Sequence, residues 1–418
     1  MDKLMPRYLL KQRQGWYAVL EIPKSVQKTF GKARFKQTLQ TDSISVARQR
    51  VLPFIAEWKR LIELARSGSG TVSVEAELFR LKQQELFKQG VPRNEIEEAL
   101  FDVAANLHRD PETAIQALSV AKGEWLLLSD HVDAYVASTA SMDKPKTVDM
   151  KRGVLSKFTK RFTYAHDVTK REMIDWVENE LMGKEGLSVA TCERMVSSIR
   201  GFWSFLERHK GLEIAAPFKD VIPSRKKAKT VGAGNKAKRK SFGPEDYRKL
   251  MASVGSDIQL GELIRLAAYT GCRIEELCSL RLDKVTGDRF QIEDAKTEAG
   301  WRTIPIHPAI ASLVVALKRN RTEGYLLEGL TFNKYGDRSN AIGKRFGRLK
   351  KKCGYGEDMV FHSLRKGVAS QLENSGIPEN ITARLLGHEF YTMSYGVYSG
   401  GVSLEVLREA IGKLDWET

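Results

Sequence analysis

Apolar and polar positions alternate with a period of two over Tyr8–Arg13, Trp16–Ile22 and Arg34–Leu39, and Gln14-Gly15 separates the first two runs. That pattern predicts a hairpin and a third strand. After Asp42-Ser43, a pair suited to cap a helix, the period lengthens. Val46, Val51, Ile55, Trp58 and Ile62 then fall on one face of a helix running to about Arg66. Residues 72–122 continue helical and amphipathic, broken at Gly90-Val91-Pro92 and Asp110-Pro111. No chemistry is visible there, and the segment reads as a helical spacer or packing surface. Four more helices are predicted at about Leu126–Ser138, Val148–Thr163, Thr169–Leu181 and Ser188–Lys210, with Pro145 and Gly186 in the breaks. In the last, Val196, Ile199, Phe202, Trp203 and Leu206 form an apolar stripe, the mark of a core-facing helix.

Periodicity is lost from Lys219 to Lys240, where Lys and Arg crowd around Gly232-Ala233-Gly234. By composition this is a flexible basic linker. Pattern returns at Ser241, with Pro244 near the first turn of a helix and a more apolar helix over Leu260–Tyr269. Arg273 stands at the start of another. Two short strands, Arg289–Ala295 and Trp301–Ile306, flank Lys296-Thr297-Glu298-Ala299-Gly300 as a β-hairpin. Arg338–Cys353 reads as a basic helix, with Lys344, Arg345, Arg348, Lys350, Lys351 and Lys352. Two short helices follow, broken at Gly376-Ile377-Pro378 and stopped at Gly387. A last amphipathic helix spans 402–414, and it can pack within the chain or on a neighbour.

The fold class is therefore mainly α with small β elements. Five segments are expected: a three-stranded sheet plus helix over 1–66, a helical spacer over 67–122, a helical domain over 123–220, a basic linker over 221–240, and a mixed α/β domain over 241–418. A chain of 418 residues accommodates about three domains. Its net charge of +16 points to a polyanionic partner. The four cysteines fit neither a zinc site nor a disulfide framework and read as reduced thiols. No apolar run reaches membrane-spanning length and no secretory leader is seen at the N-terminus, so no membrane partner is expected.

The candidate chemistry lies mostly in Phe361–Ser399. His362 and Arg365 sit three apart on one helical face. His388 follows the next helix directly, and Tyr391, Tyr395 and Tyr398 come after it. A guanidinium can grip a phosphate with a planar fork. Imidazoles can donate a hydrogen bond or hold a proton in transit, and a phenol can attack phosphorus. Upstream, Thr270-Gly271-Cys272-Arg273 leads to Glu276, placed to orient Arg273. An Arg-x-x-Glu helix pair alone is usually a surface ion pair of little worth.

The two stretches together, T-G-C-R-I-E-E-L-C-S-L over 270–280 and H-S-L-R … L-G-H … Y over 362–398, resemble the boxes of the tyrosine recombinase (phage integrase) family. The resemblance implies a catalytic set of Arg273, Lys296, His362, Arg365, His388 and Tyr398, with Glu276 supporting. Taken alone, Lys296 is an exposed turn lysine; the family's placement of its lysine on such a hairpin assigns it, with Arg302 the runner-up cation. Tyr398 lies one residue beyond the family's usual spacing, and Tyr395 is the alternative nucleophile.

Also implied is site-specific recombination of double-stranded DNA attachment sites through a 3′-phosphotyrosyl intermediate, with no metal or cofactor, by a homo-tetramer in a bacterial host cytoplasm. Accessory DNA-bending or directionality proteins are possible partners. The helical domain resembles the family's core-binding domain and the N-terminal sheet its arm-binding domain, so the length favours an integrase of a phage or genomic island. Two rivals share the scaffold: a type IB topoisomerase-like enzyme and a non-catalytic DNA-binding protein. Candidate DNA contacts are Lys11, Arg13, Arg34 and Lys36 on the strands, Arg200 in the helical domain, Lys226, Lys227, Lys238 and Arg239 in the linker, and Lys344, Arg345 and Arg348 on the basic helix. The strand cations, read without the resemblance, are a solvated face.

Overall fold

The computed structural model describes residues 8–12, 15–66, 71–92, 95–96, 98–101, 111–224, 239–293, 301–388 and 402–417. The chain forms two compact units, residues 1–234 and 235–418.

In the first unit, β1 (Leu9–Gln12), β2 (Gly15–Glu21) and β3 (Arg34–Thr38) make an antiparallel sheet in that order. Leu10 and Thr38 both pair with Tyr17, which fixes the register. One face packs on α1 (Ile44–Arg66), where Phe35 stacks on Trp58 at 5.3 Å between ring centroids. The described strand cations are exposed and have local partners. Lys11 lies over Trp16 and donates to the Asp42 carbonyl at 3.1 Å. Lys36 lies over Tyr17, and Arg34 is 4.0 Å from Glu21.

The next helix, α2 (Thr71–Lys88), is buried on several sides of its opening turns. A helix that is apolar or buried all round belongs to a core. Val74 packs into the core shared by the sheet and α1. Two residues on, Ala76 packs with Val120, Leu127 and Tyr164. Ser73 donates to Asp130 at 2.6 Å, and Phe79 meets Ala114, Ala117 and Leu118 of α3 (Pro111–Lys122). The region without visible chemistry thus joins the sheet to the helical bundle.

That bundle comprises α4 (Val132–Thr139), α5 (Pro145–Arg161), α6 (Lys170–Asp175) and α7 (Val189–Lys210) around Phe158, Trp176, Phe202 and Trp203. The third predicted helix is shorter than expected, because after Asp175 the backbone winds as a π-helix over Trp176–Lys184. Arg200 is exposed and donates to the Phe218 carbonyl at 2.7 Å.

The second unit opens with α8 (Pro244–Ser253) and the apolar α9 (Ile258–Thr270). Short α10 (Ile274–Cys278) leads to a sheet of β4 (Val285–Thr286), β5 (Arg289–Ile292) and β6 (Arg302–Pro305). Then come α11 (Pro308–Lys318), α12 (Ser339–Lys352), α13 (His362–Asn374), α14 (Glu379–Leu386) and α15 (Leu404–Ile411). Leu407, Ala410, Ile411, Leu414 and Trp416 enter the same core as α9, so the C-terminal helix packs within its own chain here.

The basic helix needs two corrections, at Arg338 and Lys350. Arg338 precedes it and is a core staple, only 3% exposed and donating to the Leu327 carbonyl at 3.1 Å. Lys350 is buried and donates to the Gly356 and Met359 carbonyls at 2.6 Å each. Arg345 is engaged by Gln259 at 2.6 Å and Asp257 at 3.2 Å. Lys344 and Arg348 remain exposed. No helix among the described residues is long and apolar enough to cross a membrane.

Candidate active site

The site is organised at the end of α9. Gly271 takes φ +64°, and a Cβ there would lie 2.5 Å from Leu386 Cδ2 and 3.2 Å from Val368 Cγ1. Only glycine both turns the chain and lets α13 and α14 approach this closely. The chain then re-enters helix at α10. Glu276, in its first turn, accepts from the Arg273 amide at 2.8 Å, satisfying a free helix-start donor. It also accepts from Arg273 Nη1 at 2.6 Å. The Glu276 side chain is 4% exposed and the Arg273 side chain 45%, so a buried carboxylate steadies a guanidinium that reaches outward. Neighbouring Glu275 works elsewhere, accepting from the amides of Arg338 and Ser339 at 2.8 Å each to cap α12.

Arg365 lies one turn after His362 on α13 and is 3% exposed. It donates Nη1 to the Gly271 carbonyl at 2.9 Å and Nη2 to the Leu386 carbonyl. It therefore ties the Arg273 turn to the end of α14, one residue before Gly387 and two before His388.

A third arginine completes the cluster. Arg302, the first residue of β6, is 4% exposed at its side chain. Its Nη2 donates to Glu276 Oε2 at 2.7 Å and its Nε to the Leu385 carbonyl at 2.8 Å.

Charge sets the protonation of the ring nitrogens. Burial lowers the His362 pKa below the usual histidine value, and Arg365, Arg239 and Arg273 lower it further. Burial likewise lowers His388, helped by Arg365, Arg273 and Arg302. Both imidazoles are thus neutral at neutral pH and able to donate one hydrogen bond. Burial and the charges of Arg273 and Arg302 bring Arg365 down to about 10, so it stays cationic. Burial alone would raise Glu276, but the hydrogen bonds and charge of Arg302, with those of Arg273, outweigh it and keep the carboxylate ionised. Three guanidiniums gather around one carboxylate that pairs with two of them, Arg273 and Arg302, and such a site favours an anion.

Arg273, Glu276, His362, Arg365 and His388 are therefore brought together. Lys296, Tyr391, Tyr395 and Tyr398 lie outside the described residues, as do Arg13, Lys226, Lys227 and Lys238. Arg239 lies at the edge of the catalytic-side unit, its carbonyl accepting from Lys366 Nζ at 2.7 Å. The linker's end is thus attached to this unit: Lys240 pairs with Asp358 at 2.8 Å. Sequence reasoning took Arg302 for a spare cation and missed its burial. The signal was present: Arg302 and Ile304 share a strand face, and an arginine on an inward face needs a buried anion.

Residues 240–399 match the phage integrase family, and residues 8–67 match a domain of unknown function (DUF6538). Tyrosine recombinase XerA of Pyrococcus horikoshii is 25% identical over 297 residues, covering 69% of this chain and 95% of that protein. The integrase of Escherichia phage lambda is 26% identical over 176 residues, 40% of this chain and 49% of that one. A solved lambda integrase tetramer bound to a Holliday junction aligns with 96% of this chain and 100% of its own, at 16% identity and TM-score 0.51, a likeness of fold.

Proposed function

Given that the chain is a tyrosine recombinase of the phage integrase family, an enzyme that cleaves and rejoins DNA at specific sites, we propose that its chemistry runs on the cluster around Gly271. Arg273 and Arg365 bind the non-bridging oxygens of the scissile phosphate and neutralise the charge that builds up in the trigonal-bipyramidal state. The Tyr398 oxygen attacks phosphorus, its proton leaving through His362 or His388. The bond to the 5′ oxygen breaks, and Lys296 protonates that oxygen as general acid. A 3′-phosphotyrosyl link remains. The 5′-hydroxyl of a partner strand then attacks it, reforming a phosphodiester and releasing the phenol. No external energy source is needed, since each bond broken is replaced by one of like kind.

The observation that carries this reading is the pair Arg365 and Arg273, one buried and one exposed, fixed about the same glycine with two neutral histidines beside them. Neutral imidazoles suit hydrogen bonding to phosphate without adding charge that the nearby guanidiniums oppose. In this reading the partners are double-stranded attachment sites, bound by four copies of the chain, with accessory DNA-bending proteins in some reactions. The sheet and bundle of the first unit add sequence contacts, the element integrated or excised is mobile, and the reaction takes place in the host cytoplasm.

The test is a nicked substrate built from DNA flanking the gene, on which cleavage traps a covalent complex. Wild type and Tyr395→Phe should both form the adduct, while Tyr398→Phe should bind the DNA and form none. Undiminished adduct in Tyr398→Phe would overturn the nucleophile assignment. Two site-bearing DNAs supplied together should be joined; relaxation of supercoils without joining would favour the topoisomerase reading.

A further inference from the structure

We propose that Arg302 is a positioning residue: it clamps Glu276 to the Leu385 carbonyl and so sets the placement of Arg273 and His388 relative to each other. The inference rests on the functional reading above. Arg302 is matched to a carboxylate and not to phosphate: its side chain is 4% exposed and its guanidinium already meets the Glu276 anion, whereas Arg365, equally buried, meets neutral carbonyls. Nη2 meets Glu276 Oε2 at 2.7 Å and Cys272 Sγ at 3.6 Å, Nη1 meets Glu276 Oε1 at 3.4 Å, and Nε meets the Leu385 carbonyl at 2.8 Å.

These partners belong to different elements. Glu276 is on α10 and holds Arg273 through both its amide and its guanidinium. Leu385 is at the end of α14, three residues before His388. Arg302 itself begins β6, across from Ile292. The guanidinium also supports the turn into His388, since a Cβ on Gly387 would lie 2.9 Å from Nη1 and 3.1 Å from Cδ. A guanidinium presents separate nitrogens, in a fixed plane, to a carboxylate and a carbonyl on different elements, a spacing that the single nitrogen of an ammonium does not reproduce. A buried ion pair is a poor source of net stability, because desolvation offsets the attraction. What this one supplies is geometry, and a misplacement of about 1 Å at a reacting centre can cost about 100-fold in rate.

The experiment uses the full chain and single-turnover cleavage of the nicked substrate, with two readouts. Arg302→Lys keeps the charge and should bind DNA like wild type, but cleave about 10–100-fold more slowly. Arg302→Met leaves Glu276 buried without its main counter-charge, so an acid limb absent from wild type should enter the rate profile. That limb should vanish in Arg302→Met combined with Glu276→Gln. A merely structural arginine would lower the melting temperature and the rate equally at every pH.

The second readout needs no chemistry. The ring resonances of His388, followed by NMR titration, should move in Arg302→Lys although the charge is conserved. Wild-type cleavage by Arg302→Lys, or a His388 titration that stays put, overturns the inference. If wild type forms no adduct, the functional reading fails, and the His388 titration alone decides the role of Arg302.

Discussion

Replacing Gly271 with alanine perturbs the fold and the site at one atom. Two costs combine. The φ of +64° is a left-handed conformation that costs an L-residue about 1–2 kcal/mol. The new methyl would overlap Leu386 Cδ2 at 2.5 Å and press on Val368 Cγ1 at 3.2 Å. Overpacking a close-packed core of this kind costs about 1–3 kcal/mol. The sum is about 2–5 kcal/mol. For a unit of this size, each kcal/mol lowers the melting temperature by about 2–4 °C, so a fall of about 4–20 °C is expected.

Scanning calorimetry on the full chain reads the effect, because the two units can melt separately. Gly255→Ala is the control. Gly255 has φ +63° and open space where a Cβ would sit, so it bears the conformational cost alone. Because the Gly271 carbonyl also receives Arg365 Nη1, cleavage should fall in Gly271→Ala and not in Gly255→Ala. If Gly271→Ala melts no lower than Gly255→Ala and cleaves as wild type, the close approach of α13 and α14 to this turn is not what holds the arginines.

Three further outcomes follow. Arg365→Lys keeps a cation but cannot reach both the Gly271 and Leu386 carbonyls, so single-turnover cleavage should drop by about 100-fold or more with DNA binding largely kept; near-wild-type cleavage would refute the fork. His362 and His388 have folded pKa values depressed below the unfolded value, so the stability they contribute is complete above about pH 6.5 and is lost as pH falls towards the folded values; bound phosphate reverses the depression, and calorimetry at pH 6 in buffers of different ionisation heat should detect proton uptake on DNA binding, with uptake fading by pH 8. On α12, Lys344→Ala with Arg348→Ala should reduce the slope of log affinity against log salt by about 1–2, whereas Arg345→Ala, which loses contacts to Asp257 and Gln259, should chiefly lower the melting temperature.

The legible parts of the chain are those where the chemistry is local. His362 and Arg365 are one turn apart, and Arg273 and Glu276 share a helix start, so spacing alone put each pair on one face. The sheet of β1 to β3 was readable because strand alternation is a short-range pattern. What spacing could not give is which groups meet across long loops. Glu276 and Arg302 are 26 residues apart, and Arg365 finds the Gly271 carbonyl across 94. The basic helix was misread for a related reason: composition counts charges, and Arg338 and Lys350 are drawn inward by carbonyls that no local pattern advertises. The role of α2 was hidden because its buried turn, Ser73 to Ala76, mixes polar and apolar residues and shows no single apolar stripe.

That turn has a mechanical consequence. Val74 is gripped by one hydrophobic cluster and Ala76 by another, so a rotation of either reaches the other through two peptide units. The two grips lie only about 3 Å apart along the helix axis, at about 1.5 Å per residue, so almost none of the 18-residue helix is free to bend between them. Whatever surface the three strands engage must then be offset from the bundle's own target by a set distance, and a ligand that stretched that offset would have to break the helix or pull one cluster apart.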